Sequence, residues 1–356
     1  MKVAIRYYSG TGNTSRACQI LQKEFKGAGH SVDTREIQSR MVEPYARIAD
    51  CELLIVAFPT LGFAPPTLLS SYLKRLPKAK KMNGARKAMD GGDGGGQKAA
   101  VLCLGGAVYV KARYVPGWGA GAPFAASRLL ARKAWSVQGL AEVSYPENWT
   151  QMFNPASDAD ATLIREKNDP LVQAFAQRLI KNEQFRLKRN LSTRLGMDLV
   201  AAMFKLFGRR LLARIFIADS SCTNCALCAR SCPASAIVMK RGRPEWKLNC
   251  TACNRCINIC PTKSIRSSSL LLLSHSLFAI LSFALVLSVP LPRNLLPGVG
   301  VLIRIAALFL LYFIQLVPLS FLLKKMARLP RFQKMFHTSY MAQYRRYLAP
   351  GFKKSL

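Results

Sequence analysis

Cys222, Cys225, Cys228 and Cys232 follow the pattern C-x2-C-x2-C-x3-C, and Pro233 comes next. Cys250, Cys253, Cys256 and Cys260 repeat the pattern, with Pro261 next. Three thiolates at this spacing wrap one corner of a [4Fe–4S] cube. The fourth, set before a proline, turns away and ligates the other cube. The spacing therefore predicts two [4Fe–4S] clusters. One takes Cys222, Cys225, Cys228 and Cys260; the other takes Cys250, Cys253, Cys256 and Cys232. Zinc ribbons use C-x2-C pairs but have no need of a third close thiol and a Cys-Pro, twice over. A disulfide framework needs an oxidising compartment, whereas Met1-Lys2-Val3-Ala4-Ile5 reads as a strand rather than a signal peptide. Cys18, Cys51 and Cys103 lie in apolar segments and read as small buried hydrophobes.

A second chemical feature is Ser9-Gly10-Thr11-Gly12-Asn13-Thr14, between a strand predicted over 3–8 and a helix over 15–27. Backbone N–H groups converge at such a helix start, where the dipole favours an anion. Ser9, Thr11, Asn13 and Thr14 add side-chain donors. No lysine ends the loop, so it is not a Walker P-loop. Position 15 is Ser, so the dinucleotide pattern G-x-G-x-x-G is not completed. A hydroxyl-lined loop without its own cation suits a phosphate monoester, as in FMN.

The elements that position these groups alternate. Strands are expected over 51–58, 99–104 and 141–145, and helices over 67–76, 124–133 and 159–186. Alternation implies an α/β fold with a doubly wound parallel sheet. Ligands in such sheets sit at the carboxyl ends of the strands. That expectation gathers Pro59, Thr60, Leu61, Gly62 and Phe63, with Gly105 and Gly106, around one cleft with residues 9–14.

Here the residues carry a resemblance. Tyr8-Ser9-Gly10-Thr11-Gly12-Asn13-Thr14 resembles the flavodoxin phosphate loop. Phe58-Pro59-Thr60-Leu61-Gly62-Phe63-Ala64-Pro65-Pro66 is similar to the flavin-facing loop of proteins that fuse a flavodoxin-like domain to a two-cluster bacterial ferredoxin. Pro146-Glu147-Asn148-Trp149 resembles their M-P-x-N-W stretch. The resemblance covers about residues 1–266 and implies FMN binding and electron transfer between flavin and clusters. There are departures. Leu61 stands where relatives often carry an aromatic over the flavin ring, with Phe63 or Tyr109 as candidate substitutes. Residues 78–98 form a basic, glycine-rich insertion. Residues 105–123 are an unusually long stretch that either wraps the flavin or packs its aromatics back on the domain.

The chain of 356 residues has a net charge of +34, and Glu245 is its last acidic residue. That balance points to nucleic acid or an anionic membrane surface. Two apolar runs decide for the membrane. Residues 269–290 and 299–323 are each long enough to cross a hydrocarbon core of about 30 Å as a helix; a buried soluble hairpin is the competing reading. Arg304 lies near an end of its run, where it can snorkel. Lys263 and Arg266 precede the first run, and Lys324, Lys325, Arg328, Arg331 and Lys334 follow the second. Positive flanks stay inside, so both ends and the clusters are expected at the cytoplasmic face. The basic charge is then expected to meet anionic lipid, with no nucleic-acid signature present.

The expected organisation is a flavodoxin-like domain (1–181), a basic helical connector (182–218), a small α+β two-cluster ferredoxin domain (219–266), a transmembrane hairpin (267–323) and a basic cytoplasmic tail (324–356). The connector reads either as a helix packed between domains or as an amphipathic helix on the membrane. Residues 340–351 of the tail are expected on lipid or folded back on the soluble domains. Cations of the ferredoxin, including Arg230, Lys240, Arg241, Arg243 and Lys247, should raise cluster potentials. No Ser/His/Asp or paired-carboxylate arrangement is visible. The expectation is an electron carrier or oxidoreductase component at the cytoplasmic membrane, serving a redox partner protein. An iron–sulfur redox or oxygen sensor, and a ferredoxin on a vestigial flavin domain, are the alternatives.

Overall fold

The computed structural model describes residues 1–41, 43, 45–80, 97–187, 191–290 and 297–352. Strand β1 (Lys2–Tyr7) lies between β2 (Ser31–Glu36) and β3 (Leu53–Pro59), all parallel. β3 pairs in parallel with β4 (Lys98–Val110). The far end of β4 turns back antiparallel into β5 (Arg113–Val115), and its body pairs in parallel with β6 (Ser136–Pro146). The parallel strands thus run β2-β1-β3-β4-β6, the flavodoxin-like doubly wound order.

Helices α1 (Asn13–Gly27), α2 (Tyr45–Ala49), α3 (Thr67–Arg75), α4 (Ala122–Ala131) and α5 (Asp158–Ile180) cover both faces. Leu21 and Phe25 of α1 and Val172 and Phe175 of α5 meet Ile5 and Ile55 on one face. Ile48, Leu69, Leu73 and Leu130 meet Leu54, Val56 and Val101 on the other. β3 is buried on both faces, which is why its sequence reads as a continuous apolar run. Cys18, Cys51 and Cys103 are buried in these cores, as expected.

Three expectations are corrected. β4 does not stop at Leu104. It continues to Val110 and turns through Lys111 and Ala112, both at positive φ, so residues 105–115 form a hairpin. Tyr109 and Tyr114 meet edge to face across it, and a Cβ on Gly105 would stand 2.8 Å from the Gly117 carbonyl carbon. This stretch therefore folds back on its own domain. α5 ends at Ile180 because Phe185 pairs beside Gly139 and packs on Phe175. The connector is not helical throughout. It comprises α6 (Leu191–Met203), a π-helical turn (Phe204–Gly208), α7 (Arg209–Arg214) and then β7 (Phe216–Ala218). Residues 81–96 of the basic insertion lie outside the described residues.

Beyond β7 come α8 (Leu227–Arg230), the hairpin β8 (Ile237–Lys240) and β9 (Arg243–Trp246), α9 (Arg255–Ile259), and β10 (Ile265–Ser267), which pairs antiparallel with β7. The β8–β9 turn, Arg241 and Gly242, has positive φ at both residues, the twist a two-residue hairpin prefers.

α10 (Ser269–Ser288) is followed by α11 (Pro297–Ile314), a π-helical turn (Gln315–Leu319) and α12 (Ser320–Met326). Two helices, Ser269–Ser288 and Gly298–Met326, are long and apolar enough to cross a membrane. Only 17% of each apolar window is buried, which argues against a soluble core hairpin. Leu273, Leu277, Ile280, Leu302, Leu310 and Phe321 are exposed along them. The connector shares in both of its readings. Phe207 packs on Phe309 and Tyr312 of α11, whose hydroxyl donates to the Phe207 carbonyl at 2.7 Å. Leu199, Val200, Met203 and Leu206 are nevertheless exposed. After α13 (Pro330–His337), residues 338–352 fold back over the soluble domains rather than spreading away from them.

Candidate functional site

The eight motif cysteines line two separate cavities. Cys222, Cys225, Cys228 and Cys260 line one of them. Cys232, Cys250, Cys253 and Cys256 line the other. Cys260 thus lies with the first three cysteines of the sequence, and Cys232 with the later three. Three thiols come from one short loop and helix, α8 or α9, and the fourth crosses over. Asn224, Ala226, Ala252 and Asn254 all have positive φ, which coils each loop tightly enough to aim its thiols inward. Among the described residues, no three His, Cys, Asp or Glu side chains converge tightly enough to hold one metal ion.

The shell around them is dry and hydrogen-bonded. Phe216, Ile237, Trp246, Ile257 and Ile265 form its core. The Ala236 N–H donates to Cys232 Sγ at 3.3 Å and the Ala252 N–H to Cys250 Sγ at 3.5 Å. Burial raises the Cys250 thiol to about 12 and, with Cys260 beside it, Cys228 to about 11. Cys260 goes the other way: burial would raise it, but hydrogen bonds with Ser264 and Thr262 outweigh burial and hold it low. Cys225 is exposed, so the first cavity reaches the surface.

The second cavity is enclosed by the flavodoxin-like domain. A Cβ on Gly10 would stand 2.7 Å from the Cys253 carbonyl oxygen. Tyr8, fully buried, holds its hydroxyl 2.7 Å from Thr251 Oγ1 and within reach of the Cys253 sulfur. Burial keeps that phenol protonated, raised well above its ordinary value. Arg255 is 1% exposed. Its guanidinium donates to the carbonyls of Gly10 at 3.0 Å, Ser9 at 2.5 Å and Ser231 at 2.8 Å, and pairs with Glu36. Thr150 Oγ1 donates to Asn258 Oδ1 at 2.9 Å across the same junction.

The phosphate loop sits where the sequence expects, between β1 and α1, with Gly12 at φ 104°. It is closed over by its own chain. The Asn148 amide donates to Thr11 Oγ1 at 2.5 Å and the Asn13 amide to the Pro146 carbonyl at 2.9 Å. The Tyr347 hydroxyl donates to Asn13 Oδ1 at 2.6 Å, and the Ala349 N–H to the Thr11 carbonyl at 2.8 Å. A Cβ on Gly12 would stand 2.7 Å from Phe352 and 2.8 Å from Ala349. Thr14 Oγ1 is buried without a partner, the one side-chain donor of the loop left over.

The other expected flavin contacts are covered too. Leu61 and Ala64 bridge within their loop, with Phe63 at positive φ and tilted against Trp118. Phe204 fills the space over Gly62, and the Glu147 carboxylate that over Gly106. Pro59 ends β3, and the Thr60 N–H donates to the Leu104 carbonyl at 2.9 Å, so these loops do gather at the carboxyl edge of the sheet with residues 9–14. Thr14 Oγ1 is the side-chain donor left for a phosphate, and the volume is taken by Phe352, Ala349 and Phe204. Sequence reasoning counted Arg255 only among the cluster domain's cations and missed its bridging role; it offered folding back of residues 340–351 as one reading but not their closure of the phosphate loop.

Residues 221–265 match the 4Fe-4S dicluster domain family. No curated protein matches the sequence. Among solved structures, a Streptococcus pneumonia flavodoxin is 16% identical, with 51% of this chain and 99% of that chain covered and a TM-score of 0.32. Flavodoxin 1 of Bacillus cereus is 18% identical, with 51% and 98% covered and a TM-score of 0.30. A flavodoxin from the domain Archaea is 12% identical, with 51% and 99% covered and a TM-score of 0.31. By its strand order and its matched domain, the chain joins a flavodoxin-like α/β domain to a 4Fe-4S dicluster domain, followed by two helices apolar enough to span a membrane.

Proposed function

We propose that the chain is an electron-transfer protein holding two [4Fe–4S] cubes at the cytoplasmic face of a membrane. The observation that carries this reading is the pair of cavities, each ringed by one crossed cysteine quartet. Bound there, the cubes supply one-electron transfer. The chain's own contribution is position and tuning. Ile237, Ile257 and Trp246 exclude water, and N–H groups on the thiolate sulfurs favour the more negative, reduced state. A redox partner docks, on this reading, at the surface around the exposed Cys225, where Arg230 is also exposed and suits an acidic partner. The positive flanks of the two apolar helices support the cytoplasmic placement. Iron and sulfide counted on anaerobically purified protein test the cluster assignment.

FMN enters this proposal conditionally. The loop 9–14 offers a phosphate its donors, and FMN would add exchange of electrons in pairs as well as singly. The loop is open to it only when residues 347–352 are displaced, because Phe352 and Ala349 lie against Gly12. The same closure favours a second reading, in which the flavodoxin-like domain is a flavin-free platform that encloses the second cavity with Tyr8, Gly10 and Glu36.

A further inference from the structure

A cavity of about 340 Å³ lies between the β8–β9 hairpin and the end of the second apolar helix. Lys240, Arg241 and Arg243 line it from the hairpin, and Lys324 and Arg328 from the helix end. Against these five cations stands one carboxylate. Glu245 is taken by Lys240 at 3.5 Å and by Arg328. Arg243 donates to the backbone carbonyls of Asp219 and Ala218. Arg241 and Lys324 have no acceptor among the described residues, and Lys324 is half-buried. Behind it, Arg214 has a buried Nε with no acceptor either. Like charges crowded in a partly desolvated space repel, and an unpaired cation there costs stability unless an anion enters.

The cavity's place says which anion. Lys324 ends the helix Gly298–Met326, at the level where a spanning helix meets lipid headgroups. The cavity is of the size ligands occupy. The hairpin turn holds Arg241 at the rim, where the chain has no acidic residue after Glu245 to compete.

We infer that this cavity binds a phosphate group, that of an anionic phospholipid, between Arg241 and Lys324, and so pins the cluster domain to the membrane surface. The inference rests on the membrane reading for the source of the phosphate but not for the site. Trp246 and Phe216 line both this cavity and that of Cys232, Cys250, Cys253 and Cys256, so the pinned domain presents a fixed face to the bilayer.

The test uses the full chain, purified anaerobically in detergent with its clusters loaded. Native mass spectrometry measures retention of phosphatidylglycerol, of phosphatidylcholine, and of inorganic phosphate offered alone. Phosphatidylglycerol should be retained over phosphatidylcholine, and the double variant Arg241→Gln, Lys324→Met should weaken that retention on the order of tenfold. Lys247→Gln, an exposed cation that does not line the cavity, should leave it unchanged. An unaltered visible spectrum shows that the variants are folded; Arg241→Gln alone, on an exposed turn, serves if the double variant is not. Retention of inorganic phosphate in place of the lipid, lost in the same variant, supports the site and makes free phosphate its source, whatever the outcome of membrane extraction. Equal retention of the two lipids, or a variant that holds phosphatidylglycerol as tightly as wild type, overturns the inference.

Discussion

The guanidinium of Arg255 donates to the carbonyl of Gly10 at 3.0 Å, joining a loop of the 4Fe-4S dicluster domain to the phosphate loop of the flavodoxin-like domain. Arg255 stands between Cys253 and Cys256, so the residue that ties the two domains together is placed by the same turn that aims the thiols. Its charge is balanced by Glu36, at the end of β2. A planar five-donor group can serve three carbonyls and a carboxylate at once; a lysine cannot.

Removing one member of this buried pair should be severe. Arg255→Leu leaves Glu36 facing a desolvated junction and should destabilise the chain by about 3–5 kcal/mol. Arg255→Leu with Glu36→Leu should recover part of that loss. Urea unfolding followed by cluster absorbance and by far-ultraviolet circular dichroism measures both. Equal loss in the single and double variants would show that the pair's charge is not the issue.

The C-terminal segment should control access to the phosphate loop. Ending the chain after Thr338 removes Tyr347, Ala349 and Phe352 and exposes residues 9–14. Phe352→Ala should act in the same direction. FMN fluorescence quenching should then show binding at least about tenfold tighter than to the full chain, since the segment no longer competes for the site. Undetectable FMN binding in both forms would favour the flavin-free platform.

Glu147 gives a pH signature at the same place. Burial over Gly106 raises its carboxyl, and the hydrogen bonds from the Trp149 and Asn148 N–H groups do not fully offset this. A raised folded-state value means that the native state binds more protons than the unfolded one. The contribution is present below the ordinary glutamate value and is lost as pH rises through the folded value. Wild type should therefore lose stability relative to Glu147→Gln as pH rises from about 4.5 upward. A stability difference between the two that does not change with pH would contradict this.

Much of the plan is legible in the sequence, for physical reasons that differ by element. The grouping of three thiols in each motif is legible from local spacing, because each loop coils within a few residues of its cysteines, whereas the fourth thiol comes from the other motif. β3 is legible because a strand buried on both faces must be apolar throughout. β2 is not: Ser31-Val32-Asp33-Thr34-Arg35-Glu36 is a half-buried edge strand whose polar side chains match a turn as well as a strand. Arg255 is hidden inside a motif whose cysteines explain it away. The packing of residues 347–352 on Gly12 joins positions more than 330 apart, and no pattern of periodicity or spacing encodes such a contact.

The apolar helices carry their own check. Protein cut after Ser267 should be released soluble with its clusters, while the intact chain should resist alkaline carbonate, which strips proteins held by charge alone. Full release of the intact chain by carbonate would assign the exposed Leu277, Ile280 and Phe321 to a protein contact instead.

The most direct measurement is a count of metal and labile sulfide per chain in anaerobically purified protein, made for wild type and for Cys228→Ala. Two crossed quartets require about eight iron atoms in wild type. The variant should fall to about four, because Cys228 lines only the first cavity and the ring of Cys232, Cys250, Cys253 and Cys256 stays whole. Stoichiometric zinc in place of iron, or a wild-type count near four that Cys228→Ala leaves unchanged, would contradict the two-cluster assignment.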